Sequence, residues 1–206
     1  MRARPAPART LRTLALLLGL AAALCGCRGA VEPTAFYTLE SRSPAALAPG
    51  PGPAVGVGPL EIPRVIDRPQ LVIRDSGQSV HLEEFHRWAG PLDEAVLGAL
   101  VGDIAALLDS QRVVGHPWEG FIDPDYRVPV TVARLDGAPG GEVVLEATWG
   151  VLPRGAERAE VVRRTTLREP VAGADHAALV AAHGRALGAL AREMAEAILA
   201  LRARGR

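Results

Sequence analysis

Apolar residues recur along this chain at two spacings, every second position over most of it and every third or fourth over two stretches. From Pro91, the residues Leu92, Val96, Leu100, Ile104 and Leu107/Leu108 trace one face of an amphipathic helix. Pro91 suits the first turn, and Asp93 and Glu94 lie where the helix dipole favours negative charge. The helix is expected to end near Asp109-Ser110. Gly98 and Gly102 sit four apart within it, each at a propensity cost of about 1 kcal/mol, which points to tight internal packing there. A second, longer helix follows Asp175, an N-cap residue, with Leu179, Leu187, Leu190, Met194, Ile198 and Leu201 as its buried stripe. Arg202 to Arg206 are expected to fray from its end.

Between the helices the pattern is that of strands. Tyr126 to Leu135 places Val128, Val130 and Val132 on one face. Glu142 to Leu152 places Val143, Leu145, Ala147, Trp149 and Val151 together, with Glu142, Glu146 and Thr148 opposite. Arg158 to Leu167 completes an expected antiparallel meander, with Arg163 and Arg164 near its wet face; the connections carry the Pro and Gly of hairpin loops. Before the first helix, Phe36 to Leu39 reads as a short strand. Ala54 to Ile62 reads as a strand whose later residues lie at a sheet edge, punctuated by Pro59 and Pro63. Leu71-Val72-Ile73 and Val80 to Glu83 flank the turn Asp75-Ser76-Gly77 as a hairpin, and Val113-Val114 is a brief strand. A helix polar on one side must pack its other side on the sheet. The expected fold is therefore single-domain α+β, a mixed or mainly antiparallel sheet covered by two principal helices.

The head of the chain follows neither period. Arg2, Arg4, Arg9 and Arg12 precede the apolar run Leu14 to Leu24, which ends in Leu24-Cys25-Gly26-Cys27. A basic start, a short apolar stretch and a small residue before the cut make a secretory signal peptide. The run is too short for a permanent span, which needs about 20 residues. Its Leu-x-Gly-Cys ending resembles the bacterial lipobox. That resemblance implies a diacylglycerol on the Cys27 thiol, cleavage after Gly26 and an acyl chain on the new amine. One chain holds a protein only reversibly, whereas two or three make a lasting anchor. Arg28 stands where an aspartate commonly retains lipoproteins at the inner membrane, so the periplasmic face of the outer membrane is the expected address. The chain then divides into a signal peptide (1–26), a lipidated N-terminus with a short strand and a Pro/Gly/Ala-rich loop (27–53), and a folded domain (54–206).

Charge changes the picture once the signal is gone. It takes four of the 23 arginines with it, leaving 19 against 23 acidic residues and a net charge of −4. An acidic, anchored protein has no electrostatic case for nucleic acid. Both cysteines are used up at the signal junction, so no disulfide framework is available. Among candidate chemistry, His81-Leu-Glu-Glu-Phe-His86 puts two imidazoles near two carboxylates. Their spacing of five sends them to opposite sides of an extended chain, and no other His or Cys cluster stands out to complete a metal site. Asp123 and Asp125 read as turn residues beside Tyr126. There is no Gly-rich phosphate loop and no Gly-x-Ser-x-Gly elbow. The expectation is a protein that is not an enzyme and needs no metal or cofactor beyond its covalent lipid.

Three blocks follow one another with short gaps: Val57-Gly58-Pro59-Leu60-Glu61-Ile62-Pro63, then Asp67-Arg68-Pro69-Gln70-Leu71-Val72, then Glu84-Phe85-His86-Arg87-Trp88-Ala89-Gly90-Pro91-Leu92. With Phe36-Tyr37-Thr38-Leu39 behind a lipobox, they resemble the PqiC-type (YmbA-like) ABC-transport auxiliary lipoproteins over nearly the whole mature chain. Phe36 stands where that family often has tyrosine. The resemblance implies a subunit of an intermembrane lipid-transport system. It would be a homo-oligomer that receives, at the outer membrane, the distal end of a periplasm-spanning MCE-domain protein. Glu84, Arg87 and Trp88 are the candidate partner contacts, since Arg and Trp are enriched at interface hot spots. The plainer alternative is that Trp88 closes the core at the start of the helix while Arg87 pairs with Glu84 or Asp93. A different function class is an assembly or chaperone lipoprotein serving an outer-membrane β-barrel.

Overall fold

The computed structural model describes residues 33–40 and 45–205. The signal segment, Cys27, the tether up to residue 32 and residues 41–44 of the Pro/Ala-rich loop lie outside the described residues. In order come β1 (Ala35–Tyr37), β2 (Val55–Glu61), β3 (Gln70–Ser76), β4 (Ser79–Trp88), α1 (Leu92–Leu108), β5 (Val113–Gly115), β6 (Tyr126–Gly137), β7 (Glu142–Pro153), β8 (Val161–Pro170) and α2 (His176–Arg204).

The strand β6 is the hub of an eight-stranded mixed sheet. One flank pairs antiparallel with β7, from Tyr126↔Pro153 to Gly137↔Val143, and β7 pairs antiparallel with β8. The other flank takes β2 in parallel along its first half, and touches β3 at its far end through Ile73↔Gly137. The β3–β4 hairpin carries β1, parallel, as an outer strand. Parallel β5 covers only Val55 to Val57 of β2, so among the described residues β2 from Leu60 onward pairs with β6 alone. Those later residues therefore lie at an edge, where Pro59 removes no ladder bond.

Both helices cover the sheet face made by the alternating residues of β7. Val143, Leu145, Ala147, Trp149 and Val151 are buried, while Glu142 and Thr148 on the opposite face are exposed. α2 packs along β6, β7 and β8, and α1 packs on α2, β2 and β5. The core merges the predicted stripes of both helices with the inner valines of β6, and Leu100, Ile104, Leu187, Leu190, Met194 and Ile198 are all 0 % exposed. Each such side chain contributes about 1.5–3 kcal/mol through removal from water. Trp149 also closes a polar relay: its indole N–H donates to Thr165 Oγ1 (3.1 Å), and that hydroxyl donates to Glu193 Oε2 (2.7 Å). Thr34–Arg206 forms one compact unit. Among the described residues no helix is long and apolar enough to cross a membrane.

Four local expectations need correction. Pro91 is the cap residue before α1, extended at φ −56° and ψ 133°, and not a member of its first turn. A Cβ on Gly98 would meet nothing within 4 Å, so that glycine serves no close packing. Arg202 does not fray: α2 continues to Arg204, and the Arg202 guanidinium donates to Pro51 O (3.2 Å), tying the last turn to the Pro/Gly loop. Arg163 and Arg164 are both exposed, but they alternate across β8; Arg163 shares the side of Trp149 and lies over its ring, 5.7 Å from the centroid. Asp175 caps α2 as expected, accepting from Ala178 N at 2.6 Å.

Candidate functional site at the β1–β4 edge

The site begins with a defect in β4. Leu71 pairs with Glu83 and Gln70 with Arg87, so one step along β3 corresponds to four along β4. The extra residues Glu84, Phe85 and His86 form a three-residue bulge, which re-aims side chains that strict alternation would have separated. This overturns the expectation that His81 and His86 face opposite sides. His81 Nε2 lies 3.0 Å from Glu83 Oε1, and His176, the first residue of α2, brings its Nε2 to 3.5 Å from the same oxygen. The His86 ring stacks on His176 with centroids 3.6 Å apart. Behind it, Tyr37 of β1 holds His86 Nδ1 at 2.9 Å. One carboxylate thus gathers imidazoles from two segments some 90 residues apart in sequence.

The electrostatics follow from half-burial. Desolvation pushes the Glu83 carboxyl up, but hydrogen bonds and charge from His81 and His176 outweigh it and hold its pKa below the ordinary value. Glu83 is therefore ionised near neutral pH. Burial, and then the nearby Asp175 charge, raise the Tyr37 phenol, which keeps its proton.

The predicted partner contacts lie beside this cluster and divide in two. Arg87 donates through Nε to Glu84 O (2.9 Å) and pairs with Glu84 Oε2 at 3.2 Å, while Gln70 Nε2 approaches the same carboxylate at 3.4 Å. Both charged groups are at the surface, and an exposed pair of this kind is worth little to stability. Trp88 is 5 % exposed. It lines an interior void of about 10 Å³ with Leu92, Leu179 and His183, at the lower limit for one water. A buried indole has no surface to offer a partner, so the plainer reading of Trp88 is where the structure places it. Two large apolar groups that the motif reading left aside stand exposed on the same edge: Phe85 in the bulge (42 %) and Phe36 on β1 (64 %).

Other charged clusters act as staples. Arg154 pairs with the Asp123 carboxylate, donates to the Asp123 carbonyl (2.7 Å) and reaches Asp125 Oδ1 at 2.8 Å; Asp125 Oδ2 takes the Ala54 N–H at 2.8 Å. These contacts lock the loop before β6 onto the start of β2. His183, buried against the edge of the Trp88 ring, donates Nδ1–H to Leu179 O at 2.9 Å. Burial lowers its pKa from 6.5 despite the opposing effects of that carbonyl and of Asp136. A depressed histidine stays neutral in the fold while the unfolded chain takes up a proton. Stability is then full above 6.5 and falls below it, by up to about 1.4 kcal/mol per pH unit. Urea unfolding between pH 7 and pH 5 is expected to show this slope, and His183→Gln is expected to flatten it.

Sequence comparison decides the family. The model of the ABC-type transport auxiliary lipoprotein component matches residues 37–195, from β1 to within α2. The chain belongs to this family. Its members are auxiliary lipoprotein components of ABC-type transport, so the accessory role and a membrane-anchored location come with membership. Two solved structures share the fold. A protein of Xanthomonas campestris is 21 % identical, with a TM-score of 0.66 over 79 % of this chain and 93 % of that one. An uncharacterized protein is 17 % identical, with a TM-score of 0.64 over 81 % and 99 %. Comparison with curated proteins gives no match. The bulged β4 lies inside the family's matched segment, as do Tyr37, Glu83, His86 and His176.

Proposed function

We propose that this chain is the outer-membrane docking subunit of an MCE-type intermembrane lipid-transport system. In this reading acyl chains on Cys27 hold it at the periplasmic face, and a ring of copies receives the distal end of a periplasm-spanning MCE-domain protein. The observation that carries the proposal is the family match, an auxiliary lipoprotein component of ABC-type transport spanning residues 37–195. Chain length adds a geometric constraint. Ala35 opens β1 eight residues after Cys27, and eight residues reach at most about 29 Å. The start of β1 is thereby tethered within that reach of the proposed acylated residue. The exposed Phe36 and Phe85, flanked by the Glu84–Arg87 pair, are the proposed contact surface. An aromatic anchor beside a charged rim is the usual anatomy of an interface.

Purification of the tagged full chain from its own membranes in mild detergent tests the proposal. Recovery of an MCE-domain protein, lost on Phe85→Asp, is the expected result. Recovery of a large outer-membrane β-barrel instead would overturn it in favour of an assembly role.

A further inference from the structure

We propose that Glu83, His86 and His176 form a binding site for a divalent transition-metal ion of the zinc class. The ligand atoms of these three residues all lie within 4.8 Å of one another. In a tetrahedral zinc site, with bonds near 2.0–2.1 Å, ligand atoms stand about 3.3 Å apart. The Glu83 Oε1–His176 Nε2 separation of 3.5 Å already meets that spacing. Closing the site on an ion requires the His86 and His176 rings, now stacked with 17° between their planes, to turn so that one nitrogen of each points at a common centre; Glu83 and His176 are 27 % and 22 % exposed, which leaves room for that rotation.

The donor set selects the ion. Two imidazoles and one carboxylate suit zinc, copper or nickel, and disfavour magnesium and calcium, which take oxygen. Tyr37 supplies the orienting partner that metal-bound histidines commonly have. With His86 bound through Nε2, its Nδ1–H donates to the phenol oxygen now 2.9 Å away. His81, at 3.0 Å from Glu83 Oε1, is a hydrogen-bond partner that orients the carboxylate. The ion would join the β4 bulge to the first turn of α2, with β1 buttressing it through Tyr37. This inference concerns the isolated chain and stands or falls independently of which partner docks on it.

The test is zinc chloride titrated into the full chain in detergent, after EDTA treatment and alkylation of free thiols, followed by calorimetry and thermal unfolding. Cobalt(II) replaces zinc for absorption spectra. One zinc per chain, a melting temperature raised by several degrees and intense tetrahedral cobalt bands are expected, with magnesium giving none of these. His86→Gln with His176→Gln should weaken binding at least 100-fold, and Tyr37→Phe by about 10-fold or more. His116→Ala should leave it unchanged. Because the glutamine variants preserve size and polarity, their metal-free melting temperature should match the parent and so separates lost binding from lost folding. Absence of stoichiometric zinc binding, or its survival in the double variant, overturns the proposal.

Discussion

Removing both arginines that face Asp136 is expected to destabilise the fold by about 3–5 kcal/mol, the cost of leaving a buried charge alone. Asp136 is 1 % exposed near the end of β6. Arg74 of β3 donates to its two oxygens from Nε (2.9 Å) and Nη2 (2.6 Å), and Arg134 donates from Nε at 2.8 Å. Burial alone would raise this carboxyl, but the hydrogen bonds and charges of the two arginines hold it below the ordinary 3.8. Arg74→Met alone leaves one partner and should cost less than the pair. Arg74→Met with Arg134→Met strands the carboxylate, and adding Asp136→Leu should recover most of the loss, since no charge then remains inside. The sign with pH follows from the depressed pKa. The stabilisation is complete above 3.8 and is lost as pH falls through the lower folded value. The gap between parent and double variant should therefore narrow in acid. Urea unfolding of the three variants checks the series, and a double variant as stable as the parent would show that the network carries no such energy.

Cys27→Ser is expected to remove the protein altogether from its proposed place at the outer membrane. The proposed anchor rests on a thiol that receives a glyceride and whose residue then gives up its amine to a further acyl chain. Each buried methylene contributes about 0.8 kcal/mol, so two or three chains make a stable anchor, which the variant lacks. A serine offers no thioether, and cleavage after Gly26 should fail with it. The product should keep residues 1–26 and lack acyl mass. Intact-mass spectrometry and membrane fractionation read both. The parent protein must begin at Cys27 and carry the lipid mass, and an unmodified Cys27 in the native product would end this part of the account.

Much of the fold was legible because burial writes period into sequence. The alternation in β7 and the three-four spacing of Leu92 to Leu108 each mark a surface that faces the core, so element type and the α+β class followed from pattern alone. The pairing of β6, β7 and β8 was readable from short Pro- and Gly-bearing loops. The parallel pairings of β1 with β4 and of β2 with β6 were not, because nothing local records which distant strand lies alongside. The site shows the same division. His81 and His86 were visible as a pair, yet alternation placed them apart, since a three-residue bulge leaves no periodic trace of its own. His176 carried no signal beyond following an N-cap aspartate; only packing of α2 brings it to Glu83. Trp88 was misleading for a related reason. An aromatic in a motif reads equally as a contact or as core, and only its burial decides.

The most direct test of the central claim is a photo-crosslinking amino acid placed at Phe85 in living cells, with a second at Thr166 on the far face of β8 as reference. An adduct that contains an MCE-domain protein is expected from position 85, and none from position 166. An adduct from position 85 with an outer-membrane barrel in its place would contradict that claim.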